Sequence, residues 1–88
     1  MVVGIRCKGK VQGVFFRATT KTKADQLGLT GWVKNESSGD VLIKVSGGKK
    51  AINQLIEWCQ KGPDYARVTE VDTWEADTEY FEDFRIEY

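Results

Sequence analysis

The sequence predicts an α+β fold with two helices and five strands in the order β-α-β-β-α-β-β. Apolar and polar residues alternate with period two in the stretches that predict strands. In two other stretches, apolar residues recur every three or four positions, which predicts amphipathic helices. Gly-rich and polar turns separate these stretches. The length of 88 residues fits one domain, residues 1–88.

The first strand is predicted over Val2 to Lys8. Val3, Ile5 and Cys7 point to one face of this strand, so that face is expected to be buried. A loop with glycines at positions 9 and 13 follows and leads into the first helix.

The first helix is predicted from about Val14 to Leu27. Gly28 stands where a left-handed residue commonly ends a helix. Threonines lower the helix propensity, so tertiary packing must hold this helix. The predicted buried stripe consists of Phe16, Thr20, Ala24 and Leu27.

The next two strands form a predicted hairpin. Leu29 to Asn35 and Val41 to Ser46 are separated by the polar turn Glu36 to Asp40, which contains a glycine. A hairpin places these two strands next to each other in antiparallel orientation.

The second helix has the clearest apolar stripe, and Gly62-Pro63-Asp64 ends it. A strand over Arg67 to Trp74 follows, in which the three-residue spacing of Val68 and Val71 suggests a bulge or a ragged start. After a turn at Asp77 to Glu79, a final short strand is predicted because Phe84, Ile86 and Tyr88 alternate with Arg85 and Glu87. The stripe of the second helix consists of Ile52, Leu55, Ile56 and Cys59.

Two right-handed β-α-β crossovers can interleave so that the hairpin joins them. The predicted architecture is therefore a ferredoxin-like sandwich, βαββαβ, with an antiparallel sheet, two helices on one face and a short extra C-terminal strand.

The composition excludes several functional classes. No apolar run approaches the roughly 20 residues of a membrane span, and Arg6 and Lys8 interrupt the first apolar stretch, so no signal peptide is predicted. Cys7 and Cys59 are too few for a disulfide scaffold, and with no histidine a zinc or copper site is not expected. Both cysteines are predicted to lie in the core, and cytoplasmic residence is expected.

The charges are unevenly spread although the net charge is zero. Ten of the thirteen Lys and Arg residues lie in residues 1–50, and ten of the thirteen Asp and Glu residues lie in residues 51–88. A basic half suits an anionic ligand, unless the fold interleaves the halves and cancels the asymmetry.

The segment Gly9 to Arg17 is the strongest candidate for an anion site. Glycines can expose backbone N–H groups in a turn, and a helix N-terminus adds free donors. Arg17 could bind a phosphate through paired hydrogen bonds. The alternative is a plain strand-to-helix turn. The Walker pattern is absent, and Gly47-Gly48-Lys49-Lys50 does not match it.

Two motifs resemble those of the acylphosphatase family. The first is similar to G-x-V-Q-G-V-x-[FY]-R and spans Gly9 to Arg17; the second begins G-[FYW]-V-x-N and spans Gly31 to Asn35, followed by Gly39 and Val41. The resemblance extends over nearly the whole chain. It implies that Arg17 binds the phosphoryl group and that Asn35 orients the attacking water. The backbone amides of the phosphate cradle would come from Lys10, Val11, Gln12, Gly13 and Val14.

The resemblance implies an enzyme that hydrolyses small acyl phosphates to a carboxylate and inorganic phosphate. An acyl phosphate has a good leaving group, so positioned charge is sufficient and no metal, cofactor or covalent enzyme intermediate is expected. We also expect a monomer without nucleic-acid or membrane partners. Many family members have a threonine after the asparagine, where this chain has Glu36, whose carboxylate would repel a phosphate unless it points away.

A non-catalytic binding domain is the alternative, since the same fold also carries binding functions. It would bind phosphate or single-stranded RNA. The predicted third strand, Val41 to Ser46, lacks the aromatic residues on which RNA bases stack in RRM domains.

Overall fold

The computed structural model describes residues 1–88 without a gap, and its helices and strands follow the predicted order. The elements are β1 (Val2–Lys10), α1 (Phe16–Gln26), β2 (Thr30–Asn35), β3 (Val41–Ser46), α2 (Lys49–Cys59), β4 (Arg67–Glu75) and β5 (Phe84–Glu87).

The five strands form one sheet in the order β4-β1-β3-β2-β5. The pairs β1–β3, β1–β4 and β2–β3 are antiparallel, which confirms the predicted ferredoxin-like arrangement and the hairpin. The extra strand β5 pairs with β2 in parallel orientation, with Gly31 opposite Phe84 and Lys34 opposite Glu87. The complete sheet is therefore mixed.

Both helices cover the same face of the sheet, because they contribute to one core cluster with the same strand positions. Of the predicted α1 stripe, Phe16, Thr20 and Ala24 are buried, whereas Leu27 is only partly buried and follows the last residue of the helix. The α2 stripe is buried as well, except that Ile56 is only partly buried. From the sheet, this cluster takes Val3, Ile5, Cys7, Val33, Val41, Ile43, Val45 and Phe84.

The predicted boundaries differ from the structure most at the end of β1 and at the start of α1, and by one residue at several other ends. β1 continues to Lys10 instead of ending at Lys8, because Gly9 and Lys10 still pair with β4. α1 begins at Phe16 instead of Val14, because Phe15 has φ 64° and ψ 21°, a left-handed conformation that cannot belong to a right-handed helix.

The predicted bulge is confirmed in β4. Lys8 lies opposite Glu70, but Gly9 lies opposite Val68, so Thr69 is the extra residue. The prediction for the end of α1 is also confirmed: Gly28 has φ 71° and donates its N–H to the carbonyl of Asp25.

Cys7 and Cys59 are free and fully buried, as predicted for core residues. The hydrogen bond to the Cys7 thiol, followed by burial, raises the pKa of the Cys59 thiol well above its ordinary value. Neither α1 nor α2 is long and apolar enough to cross a membrane.

Candidate active site

A pocket of about 300 Å³ opens between the loop after β1, the first turn of α1 and the ends of β2 and β5. Arg17 is the one charged side chain in its wall, and no carboxylate side chain lines it. The pocket therefore has a positive electrostatic character. Its lining residues are Val11, Gly13, Phe15, Phe16, Arg17, Ala18, Asn35, Ile86 and Tyr88.

The loop over residues 11–15 leaves its backbone donors free. None of its N–H groups donates to a carbonyl or to a side chain of the protein. Gly13 has φ 73°, which an L-residue rarely adopts, and no atom lies within 4 Å of the position that a Cβ would take. The glycine is thus required by the backbone turn and not by crowding.

The first turn of α1 also presents unpaired donors to the pocket. No side chain caps this helix, and the first bond into it runs from the N–H of Thr19 to the carbonyl of Phe15. The N–H groups of Phe16, Arg17 and Ala18, which all line the pocket, thus lack intrahelical partners. With the helix dipole they favour a bound anion.

Arg17 has no carboxylate within 4.0 Å, whereas Arg6 and Arg85 both form ion pairs. Its guanidinium carbon lies 5.0 Å from the centroid of the Tyr88 ring, within the range of a cation–π contact. The guanidinium therefore keeps its hydrogen-bond donors available for an anion in the pocket.

Asn35 is the last residue of β2 and lies opposite Val41 of β3. Its side chain reaches the same pocket as Arg17. The Oδ1 atom is buried and has no hydrogen-bond partner in the protein. A buried acceptor without a partner is costly, and such groups concentrate at functional sites.

The Gln12 side chain connects the loop to the β2–β3 turn. Its Nε2 donates to the carbonyl of Glu36 at 2.8 Å and to that of Asp40 at 2.9 Å. These two bonds link the loop before Arg17 to the turn after Asn35. Gln12 thereby holds together the two segments that form the site.

The Glu36 carboxylate is bound by Arg6 and does not line the pocket. The hydrogen bond from the Arg6 guanidinium holds the pKa of Glu36 below its ordinary value; burial opposes this effect, and the charge of the guanidinium lowers the pKa further. The sequence predicts that Glu36 would repel a bound phosphate unless its carboxylate points away. Because Arg6 holds the carboxylate outside the pocket, this repulsion is avoided.

The structure places most of the site predicted from the sequence in one pocket. Val11, Gly13, Arg17 and Asn35 line it. The side chains of Lys10, Gln12 and Val14 do not, so any contribution from these three residues must come from their backbones.

Three pocket residues were missed by the sequence analysis: Ala18, Ile86 and Tyr88. Ala18 follows Arg17 on the first turn of α1, so a helical projection could have placed it near the site. For Ile86 and Tyr88 the sequence carries no comparable signal, because their position depends on which strand β5 joins.

No group of three or more His, Cys, Asp or Glu side chains in the protein is arranged to hold a metal ion. The donors that converge on the pocket are a guanidinium, backbone amides and one carboxamide. Such donors bind an oxyanion rather than a cation.

Comparison with known proteins shows the family of the chain. The family model for acylphosphatases matches residues 3–86. The chain belongs to the acylphosphatase family. An acylphosphatase of Marinobacter nauticus is 50% identical over 78 residues, which cover 88% of this chain and 85% of that protein.

Two solved acylphosphatases have the same fold. The structure from Coxiella burnetii superposes with a TM-score of 0.95 at 44% identity and covers 98% of this chain and 90% of that one. The structure from Bacillus subtilis gives a TM-score of 0.95 at 33% identity with full coverage of both chains. The resemblance inferred from the two motifs is confirmed, as is the predicted enzyme class, an acylphosphatase.

Proposed function

We propose that the protein hydrolyses the carboxyl–phosphate bond of small acyl phosphates, releasing a carboxylate and inorganic phosphate without a metal or another cofactor. The observation that carries this proposal is the convergence of Arg17 and Asn35 on one pocket in which the guanidinium has no carboxylate partner. The proposal treats residues 1–88 as one catalytic domain that acts as a cytoplasmic monomer.

The phosphoryl group binds at the basic end of the pocket. The Arg17 guanidinium donates to two of its oxygens, and the backbone N–H groups of Lys10, at the end of β1, and of the loop residues 11–14 surround the remaining charge. The free N–H groups of the first turn of α1 add to this field. Donors held in fixed positions stabilise the transition state without reorganising during the reaction.

Asn35 holds the attacking water in line with the bond that breaks. Its carboxamide offers an acceptor and a donor, and the unpartnered Oδ1 can accept a hydrogen bond from that water. The amide is not a base at neutral pH, so it positions the water and takes no proton from it.

The water oxygen forms the new bond to phosphorus as the bond from phosphorus to the acyl oxygen breaks. The leaving carboxylate takes the electron pair of the broken bond. Both water protons leave with the product as dihydrogen phosphate. Because carboxylate is a good leaving group, the residues of the site supply position and charge rather than proton transfer.

Turnover of benzoyl phosphate by the purified protein, measured with a chelator present, tests the proposal. We expect hydrolysis that the chelator does not reduce, and a loss of about 10²- to 10³-fold in kcat/KM for Arg17→Gln, as for other fixed charge stabilisers. Arg85→Gln, an exposed arginine outside the pocket, is the matched control and should keep wild-type activity.

Absence of turnover above background would reject the enzyme. If inorganic phosphate still bound to that inactive protein, the alternative of a non-catalytic phosphate-binding domain would follow. RNA binding has little support, because the tryptophans in the sheet, Trp32 and Trp74, lie on β2 and β4, whereas β1 and β3 contain no aromatic residue.

A further inference from the structure

The pocket is mostly apolar, although the proposed chemistry uses only its polar atoms. Val11, Phe16 and Ala18 belong to segments that the fold must place there, and Val11 and Phe16 are buried core residues. The rings and side chains of Phe15, Ile86 and Tyr88 complete the wall. This apolar surface is available to the part of a substrate that is not the phosphoryl group.

Phe15 is the one apolar residue of the wall that combines an exposed aromatic ring with a left-handed backbone. The residue is 73% exposed and takes no part in the core cluster. Its backbone has φ 64°, a conformation that is unfavourable for a residue with a bulky side chain. The fold thus holds an aromatic ring in solvent at a strained position.

The known contacts of Phe15 do not account for its ring. Its carbonyl accepts hydrogen bonds from the N–H of Thr19 at 3.0 Å and from the Thr19 hydroxyl at 2.8 Å, and any residue supplies that carbonyl. A glycine would adopt the same φ without strain. The fold therefore does not require the aromatic ring of Phe15. The ring is available to a ligand that binds at the Arg17 guanidinium.

We propose that Phe15 is a specificity-determining residue that contacts the acyl group and makes the site favour apolar, above all aromatic, acyl phosphates. This inference rests on the proposed function. The phosphoryl group is the same in every acyl phosphate, so discrimination between substrates must come from the acyl part. An acyl ring packed against Phe15 removes apolar surface of both from water.

The charge of the pocket wall also favours apolar over charged acyl groups. Arg17 is its one charged side chain and is occupied by the phosphoryl group, so no cation in the wall remains for a second carboxylate. An acyl group that carries a carboxylate, such as succinyl, loses hydration without gaining a partner. Such substrates are disfavoured relative to a benzoyl group.

The test compares kcat/KM for benzoyl, acetyl and succinyl phosphate in the wild type and in Phe15→Ala. The benzoyl-to-acetyl ratio should fall about 2- to 12-fold in the variant, the range that a specific aromatic contact contributes. Phe15→Tyr keeps the ring and should keep the ratio. Tyr80→Ala removes a ring that is 86% exposed outside the pocket and should also leave the ratio unchanged.

The outcomes separate this inference from the proposed function. If the wild type hydrolyses none of the three substrates, the proposed function fails. If it hydrolyses them and Phe15→Ala leaves the ratio unchanged, Phe15 does not select the acyl group. An equal loss for all three substrates, with weaker inhibition by inorganic phosphate, would assign Phe15 to loop geometry and overturn the inference as well.

Discussion

Arg6 binds the Glu36 carboxylate through two hydrogen bonds, from Nε to Oε1 at 2.8 Å and from Nη2 to Oε2 at 3.3 Å. The same guanidinium lies 5.4 Å from the centroid of the Trp74 ring, so it is held from a second side. Glu36 follows Asn35 directly in the chain. Arg6 thus neutralises the carboxylate that is adjacent in sequence to the proposed water-binding residue.

Arg6→Gln should weaken inhibition by inorganic phosphate about 2- to 10-fold, because the unpaired Glu36 then repels a bound anion. The inhibition constant measured against benzoyl phosphate hydrolysis reports this change. The double variant Arg6→Gln/Glu36→Gln removes the repelling charge and should recover wild-type inhibition. Equal weakening in the single and double variants would contradict this electrostatic explanation.

The same pair makes stability depend on pH. Because Arg6 holds the pKa of Glu36 below its ordinary value, the unfolded chain binds a proton first as the pH falls. The contribution of the pair is therefore complete above that value and is lost as the pH falls through the lower pKa of the folded state. Denaturant unfolding between pH 2.5 and 7, in ~0.5-unit steps, measures this loss.

Glu36→Gln and Arg6→Gln should both flatten this acid-side dependence, since each removes one partner of the linkage. If the free energy of unfolding depended on pH in the same way in the wild type and in Glu36→Gln, other carboxylates would determine the loss of stability in acid.

Asn35→Ala should reduce kcat about 10²-fold or more and change the phosphate inhibition constant by less than about twofold, because the side chain positions water and does not hold the phosphoryl group. Stability should be unaffected or slightly higher, since the unpartnered Oδ1 gives up no protein hydrogen bond. Asn53→Ala, on the exposed side of α2, is the matched control. Equal losses of rate and phosphate affinity would assign Asn35 to binding instead.

Tyr88→Ala should raise the phosphate inhibition constant about 2- to 5-fold, the effect of losing an exposed cation–π contact with Arg17. Tyr88→Phe retains the ring face and should behave as the wild type. If Tyr88→Phe were as impaired as Tyr88→Ala, the hydroxyl rather than the ring would be responsible.

The buried thiols should resist modification in the native protein. Cys7 and Cys59 are both fully buried, and the pKa of Cys59 is raised, so few thiolates form and none is accessible. Ellman's reagent at pH 8 should label no thiol in buffer and two in concentrated guanidinium chloride. Rapid labelling of the native protein would contradict the assignment of both cysteines to the core.

Much of the fold could be predicted because local patterns determine it. The β2–β3 hairpin and the apolar stripe of α2 depend on nearby residues, and both are confirmed. The start of α1 was predicted two residues early, since a left-handed phenylalanine at position 15 contradicts the intrinsic preference of that residue. The parallel pairing of β5 with β2 depends on the path of the whole chain. The four residues of β5 alone do not indicate which strand they pair with.

The candidate site, like the fold, could be predicted only where the sequence carries a local signal. Two sequence motifs identified Arg17 and Asn35 through the family resemblance, and the structure places them in one pocket. Trp32 of β2 lies outside this pocket and lines a separate groove with Trp74, whose ring covers Gly4. The alternation of residues along β2 shows which face of the sheet carries Trp32. It does not show which residues cover that face.

The pairing of β5 with β2 also has a consequence for self-association. β5 has four residues, is fixed by the buried Phe84, and occupies the edge of the strand that ends in Asn35. If β5 detached, that strand would present a row of free N–H and C=O groups to another chain, and the pocket would lose Ile86 in the same event. The same local detachment of β5 would then cause both the loss of catalysis and the start of aggregation, under conditions in which the rest of the protein is still folded.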